Sequence, residues 1–161
     1  MTRLSDKQVA DYFHRSFTAV DGLWFMKVEE RFGFNTALEI DNEVWKVFPK
    51  IQARELRSIL KVEKGMSALK ACLTADLTLK GFEFKVQDDD KGTGFSMIIS
   101  QCLWHDIMVK AGRKHLSAKV GNVICQTEYS LWAQEFDDGI RFEQGERLCD
   151  GAEYCVLAFK N

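Results

Sequence analysis

The 161-residue chain has a single proline, no apolar run of the roughly 20 residues that a membrane span requires, and no basic stripe. Each shortage excludes something. So little proline, with few Ser or Gly tracts, argues against flexible linkers and against a many-turned all-β fold, and predicts that helices dominate. Lys and Arg are interspersed with Asp and Glu at a net charge of −2, so nucleic acid is not an expected partner. The opening Met1-Thr2-Arg3-Leu4-Ser5-Asp6-Lys7 leads into no apolar segment of the secretory type, and membrane association is not expected either. The five cysteines include no C-x-x-C pair, and their odd number does not suit a secreted disulfide scaffold. Reduced thiols in the cytoplasm are the expectation, and in that compartment grouped cysteines point to metal or redox chemistry.

What remains is an ordinary globular balance, with 46% hydrophobic and 29% charged residues, in a length that suits one domain with an adequate core. Ser5 and Gln8 have the spacing of a capping box, followed by Val9, Tyr12, Phe13, Phe17 and Val20 at helical intervals. A second short helix is expected from about Leu23 to Phe32, ended by Gly33, and a third from about Asn35. Pro49 either kinks that helix or begins the next, and Met66 to Leu77 forms one more, ended at Gly81.

Beyond residue 80 the period changes. Phe82, Phe84 and Val86 alternate with charged residues, Asp88 to Gly94 (with Lys91) reads as a turn, and Phe95 to Gln101 as the returning strand. A short helix from about Trp104 to Gly112 precedes a longer one from Ser117 to Phe136, with Val120, Val123, Ile124, Thr127 and Leu131 expected on its buried face. Ile140–Glu143 and Tyr154–Phe159 are the last strands. The sum is an α+β chain in one domain: a helical part, 1–80, and a β-β-α-α-β-β part, 81–161, with a four-stranded antiparallel sheet.

Cys102, Cys125, Cys149 and Cys155 each fall near an expected element boundary or on a helix, so the ends of elements can bring them together. A partly buried thiolate needs a cation to stay charged, and Zn²⁺ supplies one while favouring sulfur and nitrogen ligands. Glu146-Arg147-Leu148-Cys149 followed by Cys155 gives E-x-x-C-x5-C, so Glu146 joins the candidate metal ligands. His105, three residues after Cys102, is within reach of the same centre. Cys125, Glu128 and Trp132 share one helix face, which makes Glu128 an extra ligand or a base beside the thiols. Spacing alone leaves two readings open, a metal site or core cysteines, since free Cys is a small and often buried hydrophobe. An iron–sulfur cluster on four thiolates is the alternative cofactor. Cys72, on an apolar helix face, reads as core.

From Cys125 to Cys155 the chain resembles the 4-vinyl-reductase-type small-molecule-binding domain, which places a Cys, then Glu-x-x-Cys, then a last Cys around zinc. The final gap here is shorter than that pattern. Cys102, the run Cys125-Gln126-Thr127-Glu128 and Gly151-x-x-x-Cys155 are also similar to the L-2-amino-thiazoline-4-carboxylic acid hydrolase family, and the whole chain resembles an uncharacterised group of small prokaryotic cytosolic proteins related to both. The resemblance covers about the last 65 residues. It implies an α/β fold with an internal ligand pocket, a homodimer and a cysteine-lined site at the end of the sheet. The first family implies a zinc-containing protein that binds a small molecule. The second implies a hydrolase of a small cyclic or thio-compound, with Glu128 and His105 as proton carriers, although Glu128 is one carbon longer than the aspartate of that pattern. A free thiolate with His105 as its base is a further catalytic reading. Trp24, Trp45 and Trp132 are candidate ligand-binding residues, with Asp21, Gln52 or Arg54 as polar contacts. Core or dimer-contact roles for the tryptophans stay open beside this.

Overall fold

In the computed structural model, residues 3–90 and 92–161 are described. Met1 and Thr2 of the opening segment and Lys91 of the expected turn lie outside them. The chain divides into two compact units, one up to Glu43 and the other from Val44 to Asn161. Among the described residues, no helix is long and apolar enough to cross a membrane.

The first unit holds helix α1 (Asp6–Phe32) and most of α2 (Phe34–Trp45). Ser5 caps α1 as its spacing predicts: its Oγ accepts from the Gln8 N–H, and the Gln8 side chain accepts from the Ser5 N–H at 2.8 Å. Two helices were expected up to Phe32, and one continuous helix is found. Gly22 does not break it, because a single glycine lowers helix propensity by only about 1 kcal/mol. Gly33, at φ 83°, ends it with its N–H on the Glu29 carbonyl.

In the second unit, Pro49 stands in the first turn of α3 (Phe48–Leu60), where its missing N–H costs no hydrogen bond. Helix α4 (Met66–Leu79) follows, then β1 (Glu83–Asp88), β2 (Phe95–Gln101), α5 (Leu103–Lys110), α6 (Lys114–Phe136), β3 (Arg141–Gln144), a single 3-10 turn (Leu148–Asp150) and β4 (Cys155–Lys160). The α+β expectation holds, with helices filling the first half and one four-stranded antiparallel sheet in the second. The sheet order is β1-β2-β4-β3. Phe95, Met97 and Ile99 alternate inward from β2 and meet Leu157 and Phe159 of β4. Leu69, Leu73 and Leu77 of α4 close the same core with Trp132 and Phe136 of α6. At the β2 entrance the chain passes so near β4 that a Cβ on Gly94 would lie 2.4 Å from the Phe159 carbonyl oxygen, which explains a residue without a side chain there.

The buried face of α6 matches the expected one at Ile124 and differs from it elsewhere. Glu128, Tyr129, Trp132, Ala133 and Phe136 are buried, whereas Val120, Val123, Thr127 and Leu131 are half-buried. The helix is apolar on both flanks, and packing against α3, α4 and β3 selects the flank with the larger rings.

Candidate thiol site

Four elements of the second unit deliver one cysteine each. Cys102 leaves the end of β2 and takes the N-cap position of α5, its carbonyl accepting from Asp106 N–H. Cys125 lies within α6. Cys149 sits in the 3-10 turn, which closes through the Asp150 N–H on the Arg147 carbonyl and the Gly151 N–H on the Leu148 carbonyl. Gly151 supplies the φ of 96° that the exit of this turn requires. Cys155 opens β4 opposite Ile99 of β2, and its sulfur accepts from the Leu148 N–H at 3.2 Å. The turn and the strand start are thereby tied to each other.

The proximity is electrostatically visible at Cys125, where a thiolate is disfavoured by thiolates at Cys102, Cys155 and Cys149; Cys102 is raised in the same way by Cys155 and Cys149, and Cys155 by Cys149. Burial is the larger cause of every shift. It pushes the Cys102 thiol up to about 12, against the opposing pull of the His105 and Trp104 backbone N–H groups. It holds Cys125 well above the usual thiol range. Cys149 and Cys155 are raised by burial too, with Arg147 pulling both down. With no cation among them, all four are therefore protonated at neutral pH, and a neutral thiol is a poor nucleophile. A methyl placed on Gly121 would meet the Cys149 sulfur at 3.2 Å and the Cys125 sulfur at 3.9 Å, so both face the bare stretch of α6 that this glycine leaves.

As donors, four soft thiols suit a thiophilic ion such as zinc in type but not in placement. The spacing is wider than ligation requires: among the described residues, no three His, Cys, Asp or Glu side chains stand together closely enough to hold an ion. Of the other candidate ligands, Glu146 lines an adjoining cleft. The His105 ring is engaged with Ser117, Nδ1 to Oγ at 3.2 Å, while that hydroxyl donates to the Lys114 carbonyl. A hydroxyl that donates elsewhere accepts from Nδ1, so this contact holds the ring through its Nδ1–H.

Glu128 faces a different partner from the one its spacing suggests. It is buried against Lys80, Oε1 to Nζ at 2.9 Å, and Lys80 also pairs with Asp76 at 2.7 Å. Burial pushes the Asp76 and Glu128 carboxyls up, and Lys80 offsets only part of that. Burial pulls Lys80 down, but Glu128 and Asp76 together outweigh it and raise the ammonium to about 12. Lys80 lies over the Trp45 ring at 5.9 Å, and Trp45 meets Trp104 edge-on at 6.3 Å. Gln52 reaches the far oxygen of Asp76 at 3.5 Å.

Among the three tryptophans read as ligand contacts, Trp45 and Trp132 are core residues of the second unit, and Trp24, in the first, is 65% exposed. The indole N–H of Trp132 is buried without a hydrogen-bond partner. Arg54 is committed to Glu135 at 2.7 Å, and Asp21 is half-buried in the first unit.

A cleft of about 460 Å³ adjoins the thiols, and sequence reasoning missed it apart from Glu146. Its walls include Gly121, Asn122, Gln126, Gln144 and Arg147. Arg147 donates to the Asn122 Oδ1 and, at 2.7 Å, to Asp150. Gln144 donates its amide to the Val156 carbonyl. The only advance signal was the cluster of polar side chains around one glycine in Gln144-Gly145-Glu146-Arg147.

The chain belongs to a family of unknown function, DUF6125, whose family model matches residues 3–152. Cys102, Cys125 and Cys149 fall inside that match and Cys155 just beyond it. No curated protein matches the chain.

Proposed function

We propose that this DUF6125 member is a zinc-binding protein whose thiol site, formed by Cys102, Cys125, Cys149 and Cys155, adjoins a cleft for a small polar molecule. One observation carries the reading: four cysteines separated by 6 to 53 residues in sequence arrive from four elements in one electrostatic neighbourhood. Scattered core cysteines have no reason to do so. Each alone costs the fold little, whereas together they form a set that only a cation can ionise.

A zinc ion at these thiols would supply the positive charge that burial otherwise denies them, and Lewis acidity toward a bound ligand if one position stays open. Gly121 gives the sulfurs of Cys125 and Cys149 room to approach. The cleft is walled by Gly121, the residue that the sulfurs of Cys125 and Cys149 approach, so a molecule held there by Asn122, Gln144 and Arg147 would lie one residue from the thiols.

Chelator competition on the full chain tests this. One zinc per chain is expected, with affinity falling more than about 100-fold in Cys125→Ser and in Cys149→Ser, as expected when a ligand rather than a supporting partner is lost. Cys72→Ala is the control, because Cys72 is a fully buried residue of α4 and should leave zinc uptake unchanged. Zinc uptake that survives both serine variants would remove the site.

A further inference from the structure

Helix α1 is 27 residues long, about 40 Å, yet none of its residues is buried. A helix in a folded protein normally hides one stripe, and most helical stability comes from that burial rather than from propensity. Here the unburied stripe is strongly apolar. Val9, Tyr12, Phe13, Val20, Leu23 and Trp24 recur at helical spacing along one face, and Tyr12, Phe13, Val20 and Trp24 are each 65–66% exposed. Together they leave on the order of 600 Å² of apolar side chain in water, at the upper end of what single chains tolerate. Two such faces would bury about 1,200 Å², the threshold of a stable protein–protein interface.

The charges on the same face select the occupant. Asp6 stands in the first turn of α1, and Lys27 and Arg31 stand toward its last turn. A second copy of the helix running antiparallel brings Asp6 opposite Arg31 of the other copy at both ends, and sets Tyr12 and Phe13 against Leu23 and Trp24. A parallel copy would set Asp6 against Asp6 and Arg31 against Arg31. The antiparallel order also opposes the helix dipoles favourably. The face is thus complementary to itself in one orientation only.

We infer that α1 is a self-association surface on which a second copy of this chain docks antiparallel, through Val9, Tyr12, Phe13, Val20, Leu23 and Trp24, with Asp6 and Arg31 setting direction. This stands independently of the thiol site.

Sedimentation of the full chain at low ionic strength tests it. A dimer is expected at micromolar concentration, weakened more than about 30-fold by Val20→Glu and by Trp24→Glu, the scale of central interface residues. Asp6→Arg weakens it about 3- to 5-fold, the scale of an exposed ion pair, and Asp6→Arg combined with Arg31→Asp restores it. Far-UV circular dichroism on each variant confirms that the helices persist. If Val20→Glu unfolds α1, the charge pair alone decides. A wild-type monomer at high micromolar concentration, whether or not it then binds lipid vesicles or another protein, overturns the inference. So does a dimer indifferent to Val20→Glu and Trp24→Glu in folded protein, or a double charge exchange no better than the single one.

Discussion

Lys80→Met is expected to destabilise the second unit by about 3–5 kcal/mol at neutral pH, the usual result of removing one partner from a buried ionic group. Lys80 pairs with two buried carboxyls, Asp76 at 2.7 Å and Glu128 at 2.9 Å, and all three are almost wholly hidden from solvent. Without it, either a carboxylate stays charged in a low-dielectric setting or both take up protons on folding. Urea unfolding measures the loss. Glu128→Gln should cost less, because Lys80 keeps Asp76 and the new amide keeps a hydrogen bond to the ammonium.

The pH dependence carries a sign. The ammonium of Lys80 is raised from its ordinary 10.5 to about 12, so its contribution is complete below pH 10.5 and is lost as pH rises through about 12. Asp76 and Glu128 are also raised, so their folded forms hold protons more tightly than the unfolded chain does. Whatever stability those protons add is present in acid and lost as pH rises through the raised values. The Lys80→Met deficit should therefore shrink as pH falls toward the carboxyl range, where both acids are neutral in the variant. A deficit below about 1 kcal/mol at neutral pH would show that the triad is hydrated rather than buried.

The second large effect is linkage between zinc and stability. A ligand held only by the folded chain stabilises it by about 4 kcal/mol when its free concentration is a thousand times its dissociation constant. Zinc buffered to that level should shift the urea midpoint upward by a matching amount, reversibly on adding a chelator. Cys149→Ser and Cys155→Ser should each remove most of the shift while changing the metal-free midpoint little, since both residues are only half-buried. Equal shifts in wild type and variants would place the zinc elsewhere.

Much of the fold was legible because its signals are local. Phe95 to Gln101 alternates at period 2, and the structure forms a strand over those residues. Pro49 could only start a helix or kink one, and it starts α3. The expected break before Leu23 is absent, and one helix runs from Asp6 to Phe32, because the chain carries Gly22 through at a cost of about 1 kcal/mol in propensity. The buried flank of α6 was not readable, since both flanks are apolar and only α3, α4 and β3 decide between them.

The candidate site divides in the same way. That Cys102, Cys149 and Cys155 lie near element ends, with Cys125 on a helix, is a sequence property, and their gathering on one side of the second unit follows once the strands pair in the order found. The role of Glu128 was hidden, because its partner Lys80 lies 48 positions away at the C-cap of α4 and nothing in the local pattern joins them. Its neighbour at i−3, Cys125, was visible and drew the reading toward the thiols. Asn122, Gln144 and Arg147 escaped notice because polar side chains around glycines look alike whether they form a turn or line a cleft.

X-ray absorption at the zinc edge on the metal-loaded full chain tests the central claim most directly. The account predicts a first shell dominated by sulfur at about 2.3 Å, reduced in sulfur count by Cys125→Ser. A shell made only of nitrogen and oxygen at about 2.0–2.2 Å would contradict it, and would return the four cysteines to the core.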